Sequence, residues 1–187
     1  MQPLQRIGFF KTANNLEKTP RKAAVMAVFY PDKEQNTHLL FILRKTYKGV
    51  HSNQVAFPGG KAEETDATIL ETALRETYEE VGVLPEDITG IKKLTSVYVI
   101  PSNFDVQPFL GLYRSPKPFV KQDAEVAALL EVSLSSLLDD TNVTIKKLRL
   151  ENGEEIEVPA FNLNSKLVWG ATAMMLNEIK TLLRQVL

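Results

Sequence analysis

The sequence of 187 residues contains no cysteine and only two histidines. The lack of cysteine excludes disulfides, thiolate metal sites and a cysteine nucleophile. Long apolar runs are also missing, since none approaches the length of a membrane span and the N-terminus has no apolar run of signal-peptide length. A net charge of −1 at pH 7 provides no overall field that would attract nucleic acid. We therefore expect a cytoplasmic protein that binds neither membranes nor nucleic acid.

The composition is that of an ordinary globular protein, with 44% hydrophobic and 24% charged residues. The length suits one domain with a proper core and is short for two. We expect a single domain over residues 1–187, in which residues 1–20 form an N-terminal extension with no assigned role. There is no G-x-S-x-G nucleophile elbow and no P-loop, so neither of those two classes of enzyme is indicated.

Apolar runs bounded by turn residues predict a mixture of strands and helices. The predicted strands are 23–30, 38–43, 91–100, 104–113, 143–150 and 155–158. Predicted helices lie around 134–139 and over 168–187, and we expect Met174 and Met175 of the last helix to be in the core. The first two strands are predicted to pair as a hairpin, and so are the last two, which an Asn-Gly turn joins. Together these elements predict an α+β fold with helices on two sides of a sheet.

Residues 57–83 concentrate more chemistry than any other stretch, because a Pro-Gly-Gly turn leads into an acidic helix. At about 100° per residue, one face of this helix is apolar and an adjacent face carries three glutamates. The predicted apolar face consists of Leu70, Ala73, Leu74, Tyr78 and Val81. The glutamates are Glu76, Glu79 and Glu80, and a bound cation would relieve their mutual repulsion.

A divalent cation is the natural partner of these glutamates. Hard cations such as Mg²⁺ take oxygen ligands, usually a few carboxylates together with substrate phosphates. Glu76 and Glu80, one helical turn apart, are the first candidate ligands, and Glu79 is the third. Arg75 lies four residues from both Glu71 and Glu79, so we expect it to orient the glutamates through ion pairs. The alternative is a solvated acidic helix face.

A basic segment precedes the glycine turn. Arg44, Lys45 and Lys48 are candidates to hold an anionic substrate, and the alternative is a solvated basic loop. Gly59 and Gly60 allow the backbone to approach a ligand closely, and the alternative is a plain tight turn. The glycine turn comes just before the acidic helix. This position favours ligand binding both for the basic segment and for the two glycines.

The acidic helix resembles the Nudix signature, G-x5-E-x7-R-E-U-x-E-E-x-G-U, in which U is a bulky aliphatic residue. The matching residues are Gly60, Arg75-Glu76, Glu79-Glu80 and Gly82. Thr77 occupies the place of U. The spacing from Gly60 to Arg75 is one residue longer than the standard, and Asp66 stands where the first glutamate is expected. This extended spacing is similar to that of the coenzyme A pyrophosphatase branch of the family.

The likeness to that branch extends over roughly residues 20–187. It includes segments 21–25, 40–60 and 169–173, together with Ser102, Phe104, Pro108, Asp123 and Glu125-Val126. Gly49 and Asn53 depart from it, because the branch usually has an arginine and a glycine at these two places. This departure concerns the substrate more than the chemistry.

The resemblance implies an α/β/α Nudix sandwich with a mixed sheet, and hydrolysis of a nucleoside diphosphate linked to another group with Mg²⁺ or Mn²⁺. For coenzyme A the products would be 3′,5′-ADP and 4′-phosphopantetheine, and the basic segment would hold the 3′-phosphate. Alternatives are another nucleotide (ADP-ribose, a dinucleotide or a nucleoside triphosphate) and a nucleotide-binding module without catalysis. A homodimer is also among the expectations.

The general base stays open between two kinds of residue. It is either a glutamate of the signature, such as Glu79, or a carboxylate from another loop. Glu125 is the first candidate outside the signature and Asp123 the next. The alternative for both is an exposed loop acid. The catalytic residues expected from the sequence are thus Arg75, Glu79 and Glu125.

Overall fold

The computed structural model describes residues 19–45, 54–149 and 153–187, and so leaves out most of the N-terminal extension. Within these residues, the fold consists of two sheets and three α-helices, joined by loops and short 3-10 turns. The larger sheet contains β1 (Arg21–Pro31), β2 (Thr37–Arg44), β3 (Val55–Ala56), β4 (Gly59–Lys61), β5 (Ile88–Lys93), β6 (Val97–Val99), β7 (Phe104–Tyr113) and β8 (Val126–Ser133). The smaller sheet contains β9 (Val143–Arg149), β10 (Glu155–Leu163) and β11 (Lys166–Trp169). The helices are α1 (Ile69–Val81), α2 (Leu134–Leu138) and α3 (Gly170–Leu183).

Strand β1 lies at the centre of the larger sheet. It runs parallel to β7 and antiparallel to both β2 and β4, so the sheet is mixed. The β1–β2 hairpin confirms the predicted pairing, with Phe29 opposite Leu39. On the far side of β2, β8 adds another antiparallel strand. Strand β4 pairs with β1 at Ala24 and Gly60, which places the glycine turn on the central strand of the sheet.

The two faces of the larger sheet support two separate hydrophobic layers. Successive side chains of β1 point to opposite faces, so Met26 packs in the layer beneath α1 and Ala27 in the other layer. This second layer also contains Phe161 and Val168 of the smaller sheet and Leu176 of α3. The predicted α+β sandwich, with a mixed sheet between helices, is therefore confirmed.

Two predicted elements have different bounds in the structure. The strand expected over 91–100 is divided into β5 and β6, and β5 starts earlier, at Ile88. Its register against β7 shifts between Thr89 and Lys92, around Gly90, whose φ is 59°. The hairpin of β9 and β10 is present, and β10 continues to Leu163 because its second half pairs with β11.

The C-terminal helix also starts later than predicted, because residues before Gly170 belong to β11. Met175 is buried as expected, but the prediction for Met174 is wrong, since 48% of its surface is exposed. Adjacent helix residues point about 100° apart, so two neighbouring methionines do not both face the core. In the described part of the chain, no helix is long and apolar enough to cross a membrane.

Candidate active site

Helix α1 carries the predicted acidic residues and has well-defined ends. Thr68 caps its N-terminus by accepting a hydrogen bond from the Glu71 amide at 3.2 Å, and the Glu71 carboxylate accepts one from the Ala67 amide at 2.9 Å. Gly82 ends the helix with φ 75°, and its amide donates to the Tyr78 carbonyl. These caps hold the helix at a definite length, so the glutamates keep their positions along it.

The buried face of α1 differs from the predicted apolar face. Tyr78 is 50% exposed, so placing it in the core was wrong. The buried residues are Thr72, Ala73, Thr77, Glu80 and Val81. Thr77 is satisfied there because its hydroxyl donates to the Ala73 carbonyl at 2.6 Å. The helix is thus rotated so that Glu80 points towards the glycine turn.

The glycine turn contacts the glutamates directly. The Gly59 amide donates to Glu80 Oε2 at 2.8 Å, while a Cβ on Gly59 would come within 2.3 Å of the Ala24 carbonyl oxygen. A Cβ on Gly60 would lie 2.5 Å from the Glu76 carboxylate. Glycine at position 60 therefore leaves room for the Glu76 carboxylate, and glycine at position 59 leaves room for β1. In the structure the group that comes closest to Gly60 is a side chain of α1, and the predicted approach to a ligand stays a prediction.

Glu80 is an almost completely buried acid, with 3% of its side chain exposed. Burial raises its pKa to about 7, while the Gly59 amide and the Arg44 guanidinium pull the pKa down, and the charges of Glu76 and Glu125 push it up. Its Oε1 has no hydrogen-bond partner among the described residues. Buried carboxylate oxygens without a partner are rare in folded proteins, so this oxygen indicates a position at which a ligand could bind.

Glu76 lies beside Glu80 and Glu79 lies at the rim. The side chain of Glu76 is 13% exposed, and burial raises its pKa against the opposing charge of Arg75. The side chain of Glu79 is 51% exposed. Of the three predicted ligands, Glu80 is thus buried, Glu76 is largely buried and Glu79 is accessible to solvent.

Arg75 is held by an acid to which the sequence analysis assigned no role. Its Nε donates to Asp66 Oδ1 at 2.9 Å and its Nη2 to Asp66 Oδ2 at 3.0 Å, which is a two-point ion pair. Asp66 also accepts from the Thr72 hydroxyl, and the hydrogen bonds from Arg75 hold its pKa well below the usual range. Asp66 is therefore occupied by Arg75. A carboxylate nine residues before an arginine was the available sequence signal.

The free edge of Arg75 reaches the glutamates. Its Nη1 donates to Glu76 Oε1 at 3.1 Å and to Glu79 Oε2 at 3.2 Å. The expected pair with Glu79 is thus present. The expected pair with Glu71 was wrong, because the Glu71 carboxylate caps the helix instead.

The basic segment is only partly described. Arg44 is largely buried, and its Nη1 lies 3.4 Å from the Gly59 carbonyl oxygen and 3.9 Å from Glu80 Oε1. Its Nε has no hydrogen-bond partner within the described ranges. Lys45 is exposed next to it. Lys48 lies outside the described residues, as do Gly49 and Asn53.

Glu125 is close enough to the glutamates of α1 for its charge to act on them, although it is far from the helix in sequence. It is exposed, and its charge raises the pKa of both Glu76 and Glu80 after the larger effect of burial. Its carbonyl accepts from the Lys45 amide at 2.8 Å, which joins it to the end of β2. Asp123 differs, because a hydrogen bond from Lys121 lowers its pKa and occupies its carboxylate.

These residues suit a hard divalent cation. Two buried carboxylates with raised pKa values and one unsatisfied oxygen form an all-oxygen donor set whose repulsion a cation would relieve. Among the described residues, no three acidic or histidine side chains are already arranged as a metal site. A hard divalent cation usually binds through one or two carboxylates and takes its other ligands from phosphate and water. Glu76 and Glu80 would hold it, with Glu79 at the rim.

Comparison with known proteins identifies the family of the chain. A model of the NUDIX domain matches residues 20–157. An uncharacterized Nudix hydrolase NudL from Pectobacterium atrosepticum is 33% identical over 142 residues, covering 75% of this chain and 72% of that protein. The Nudix hydrolase RenU from M. smegmatis matches with a TM-score of 0.58 at 14% identity, covering 90% of this chain and 88% of that one.

A third match is the NUDIX domain of Shewanella oneidensis NrtR, solved in complex with ADP ribose. Its TM-score is 0.53 at 20% identity, and the match covers 65% of this chain and 77% of that one. The two solved structures show a shared fold. The domain model covers more than half of the chain and the P. atrosepticum relative is more than 30% identical. The chain therefore belongs to the Nudix hydrolase family of enzymes, which act on nucleoside diphosphates linked to another group.

Proposed function

We propose that this Nudix hydrolase cleaves the diphosphate of coenzyme A or its acyl derivatives, giving 3′,5′-ADP and 4′-phosphopantetheine. The observation that carries the chemistry is the buried pair Glu76 and Glu80 against the glycine turn, with Glu80 Oε1 unsatisfied. The choice of coenzyme A is supported by the extended spacing of the signature. In the structure, the residue in that extended segment, Asp66, is the one that holds Arg75.

The metal would be Mg²⁺ or Mn²⁺, held by Glu76, Glu80 and Glu79. When bound, such an ion neutralises phosphate charge and lowers the pKa of water. Arg75 orients Glu76 and Glu79 through its Nη1 and is itself fixed by Asp66. The ligands are therefore positioned before the metal arrives, and Arg75 takes part in catalysis through them.

Glu125 is the proposed general base. Its carboxylate accepts a proton from the attacking water, and the oxygen of that water forms a new bond to one phosphorus of the diphosphate. The bond from this phosphorus to the bridging oxygen breaks. The other phosphate leaves with the bridging oxygen and stays attached to its own organic group. Glu125 suits this role because it is exposed and yet close enough to raise the pKa of both buried glutamates. Glu79 is the alternative base, but it already accepts from Arg75.

Arg44, Lys45 and Lys48 are proposed to attract the anionic substrate. Among the described residues, Arg44 supports this proposal. Its Nε has no hydrogen-bond partner there, and its Nη1 lies beside the glycine turn and Glu80. Lys45 is exposed at the same edge and would reach phosphate groups further out. Gly60 contributes by leaving room for Glu76 and Gly59 by donating its amide to Glu80, and so both shape the floor on which the diphosphate would lie.

A different substrate is the second candidate, because Gly49 and Asn53 depart from the coenzyme A branch. The NrtR domain was solved with ADP ribose, which makes that compound the first alternative. A nucleotide-binding module without catalysis is the third. The three glutamates count against that module, since binding alone would not require a metal site.

A substrate panel tests the proposal. The protein is incubated with Mg²⁺ or Mn²⁺ and with coenzyme A, acetyl-coenzyme A, ADP-ribose, a dinucleotide or a nucleoside triphosphate, and products are separated by chromatography. We expect 3′,5′-ADP from the coenzyme A compounds. Glu80→Gln should lower turnover at least about 100-fold, with Glu86→Gln, an exposed acid outside the site, as the matched control. Cleavage of another nucleotide alone would reject coenzyme A and keep the hydrolase.

Three further expectations accompany this function. We propose that the chain acts as one domain, since the smaller sheet and α3 share a core layer with the larger sheet. A cytoplasmic location and a homodimer stay predictions. Fluorescent tagging in cells and light scattering of the purified protein would measure them.

A further inference from the structure

The loop that follows β7 is attached to the end of the metal-site helix. The Val120 amide donates to the Val81 carbonyl at 3.0 Å, and the Gln122 amide donates to the Glu80 carbonyl at 3.0 Å. The last carbonyls of a helix have no partner within the helix, so they are free to accept these bonds. The loop therefore takes its position from the same residue that carries the buried carboxylate.

The side chain of Gln122 then shapes the rest of the loop. Its Oε1 accepts from the Ala124 amide at 2.6 Å and from the Glu125 amide at 3.0 Å. Its own carbonyl accepts from the Glu125 amide at 3.3 Å and from the Val126 amide at 3.0 Å, where β8 begins. One residue thus bonds to Glu80 on one side and to Glu125 on the other.

The opposite end of Glu125 is also fixed. Its carbonyl accepts from the Lys45 amide at 2.8 Å, so Glu125 is held between the end of β2 and the loop. The bonds from the loop amides to the Gln122 side chain would also occur in an ordinary turn. The additional bond from the Gln122 amide to the Glu80 carbonyl attaches this turn to α1, and so relates the position of Glu125 to that of Glu80.

We propose that Gln122 is a positioning residue that places the Glu125 carboxylate opposite Glu76 and Glu80. This inference rests on the proposed function in so far as Glu125 is the general base. Gln122 itself touches neither substrate nor metal. It acts by holding the backbone of Glu125 in a fixed position relative to α1.

Two substitutions separate the acceptor from the size of the side chain. Gln122→Met keeps an unbranched chain of similar length and removes the acceptor, whereas Gln122→Glu keeps an acceptor in the same place. With the panel compound that the wild type cleaves fastest, we expect Gln122→Met to lower kcat about 10- to 100-fold with KM changed less than about twofold. Gln122→Glu should restore most of kcat. An unchanged kcat in Gln122→Met, or a larger loss in Gln122→Glu than in Gln122→Met, would overturn the inference.

A double-mutant cycle tests whether Gln122 works through Glu125. If it does, adding Gln122→Met to Glu125→Gln should lower kcat by less than about twofold, because the carboxylate to be positioned is already gone. The same loss in both backgrounds would overturn the inference, and so would a Glu125→Gln variant with full kcat. Neither outcome would contradict the hydrolase activity itself.

Hydrogen exchange gives a readout that does not depend on activity. In the full-length protein, the Ala124 amide should exchange at least about tenfold faster in Gln122→Met and keep its wild-type rate in Gln122→Glu, whereas the Glu125 amide retains the Gln122 carbonyl as an acceptor in both variants. Circular dichroism and Tm confirm that both variants are folded. If the wild type hydrolysed none of the panel compounds, the proposed function would fail, and unchanged exchange in Gln122→Met would separately overturn the inference.

Discussion

Gly59 donates its amide to Glu80 Oε2 at 2.8 Å, and this bond joins the turn before α1 to the last turn of the same helix. The two residues are 21 positions apart in the sequence. The bond satisfies one oxygen of a carboxylate that is otherwise buried, and it leaves the other oxygen without a partner among the described residues. The turn and the helix therefore act as one unit in presenting that oxygen.

Gly60→Ala should disturb this unit at the neighbouring acid. The added methyl group would lie 2.5 Å from the Glu76 carboxylate, so the carboxylate must move. We expect kcat to fall at least about tenfold, because a displacement of about 1 Å at a catalytic site can cost up to about 100-fold. Steady-state kinetics measures this loss.

A control glycine separates this effect from backbone strain. Gly153 has φ 85°, and among the described residues, its chain neighbours apart, no atom lies within 4 Å of an added Cβ. Gly153→Ala should therefore cost about 1 kcal/mol of stability and leave kcat unchanged. If Gly60→Ala kept wild-type kcat, the contact between Gly60 and Glu76 would have no role in activity.

Asp66→Asn should weaken folding, because it removes the two-point partner of Arg75. We expect the free energy of unfolding to fall by about 2 kcal/mol at pH 7, as for hydrogen bonds to charged groups. Asp87→Asn removes a longer and more exposed pair with Lys117, at 3.5 Å, and should cost less than about 1 kcal/mol. Urea unfolding measures both changes.

The effect of Asp66 should depend on pH in one direction. Its folded pKa lies below the ordinary value of 3.8, so the folded state favours the ionised form. The stabilisation is therefore fully present above pH 3.8 and is lost as the pH falls towards the folded pKa. The difference between wild type and Asp66→Asn should shrink as the pH falls below 3.8. A difference that grows on acidification would contradict the ion pair.

Mn²⁺ should stabilise the wild type more than a variant without the buried acid. A metal that binds only the folded state at 100 times its Kd adds about 2.7 kcal/mol of stability. We expect a rise of Tm with Mn²⁺ that chelation reverses. The rise should be largely absent in Glu80→Gln and reduced in Glu79→Gln, because Glu79 lies at the rim. Equal shifts in all three proteins would place the metal elsewhere.

Glu125→Gln should lower kcat about 100- to 10,000-fold, the range typical of a lost general base. The neighbouring Asp123→Asn is the matched control, because Asp123 is exposed and bonded to Lys121. It should keep kcat within about twofold of the wild type. A larger loss of kcat in Asp123→Asn than in Glu125→Gln would indicate that Asp123, and not Glu125, is the general base.

Local patterns in the sequence predicted much of the fold. Apolar runs and turn signals were enough for the β1–β2 hairpin and for an α+β fold with helices on two sides of a sheet. They were less reliable where tertiary contacts compete. The strand expected over 91–100 is interrupted because its two parts pair with different halves of β7. Met174 faces outward because the rotation of α3 depends on the layer against which it packs.

The sequence by itself determined which residues we propose to carry the chemistry: the glycine turn, the three glutamates and Arg75 are close together in the chain, so helical geometry relates them. Only the tertiary structure decided how they are arranged. It rotated α1 so that Glu80 is buried, paired Arg75 with Asp66 in place of Glu71, and attached the loop of Gln122 and Glu125 to the end of α1. These relationships depend on contacts between segments distant in sequence, whose burial and hydrogen bonding no local period encodes.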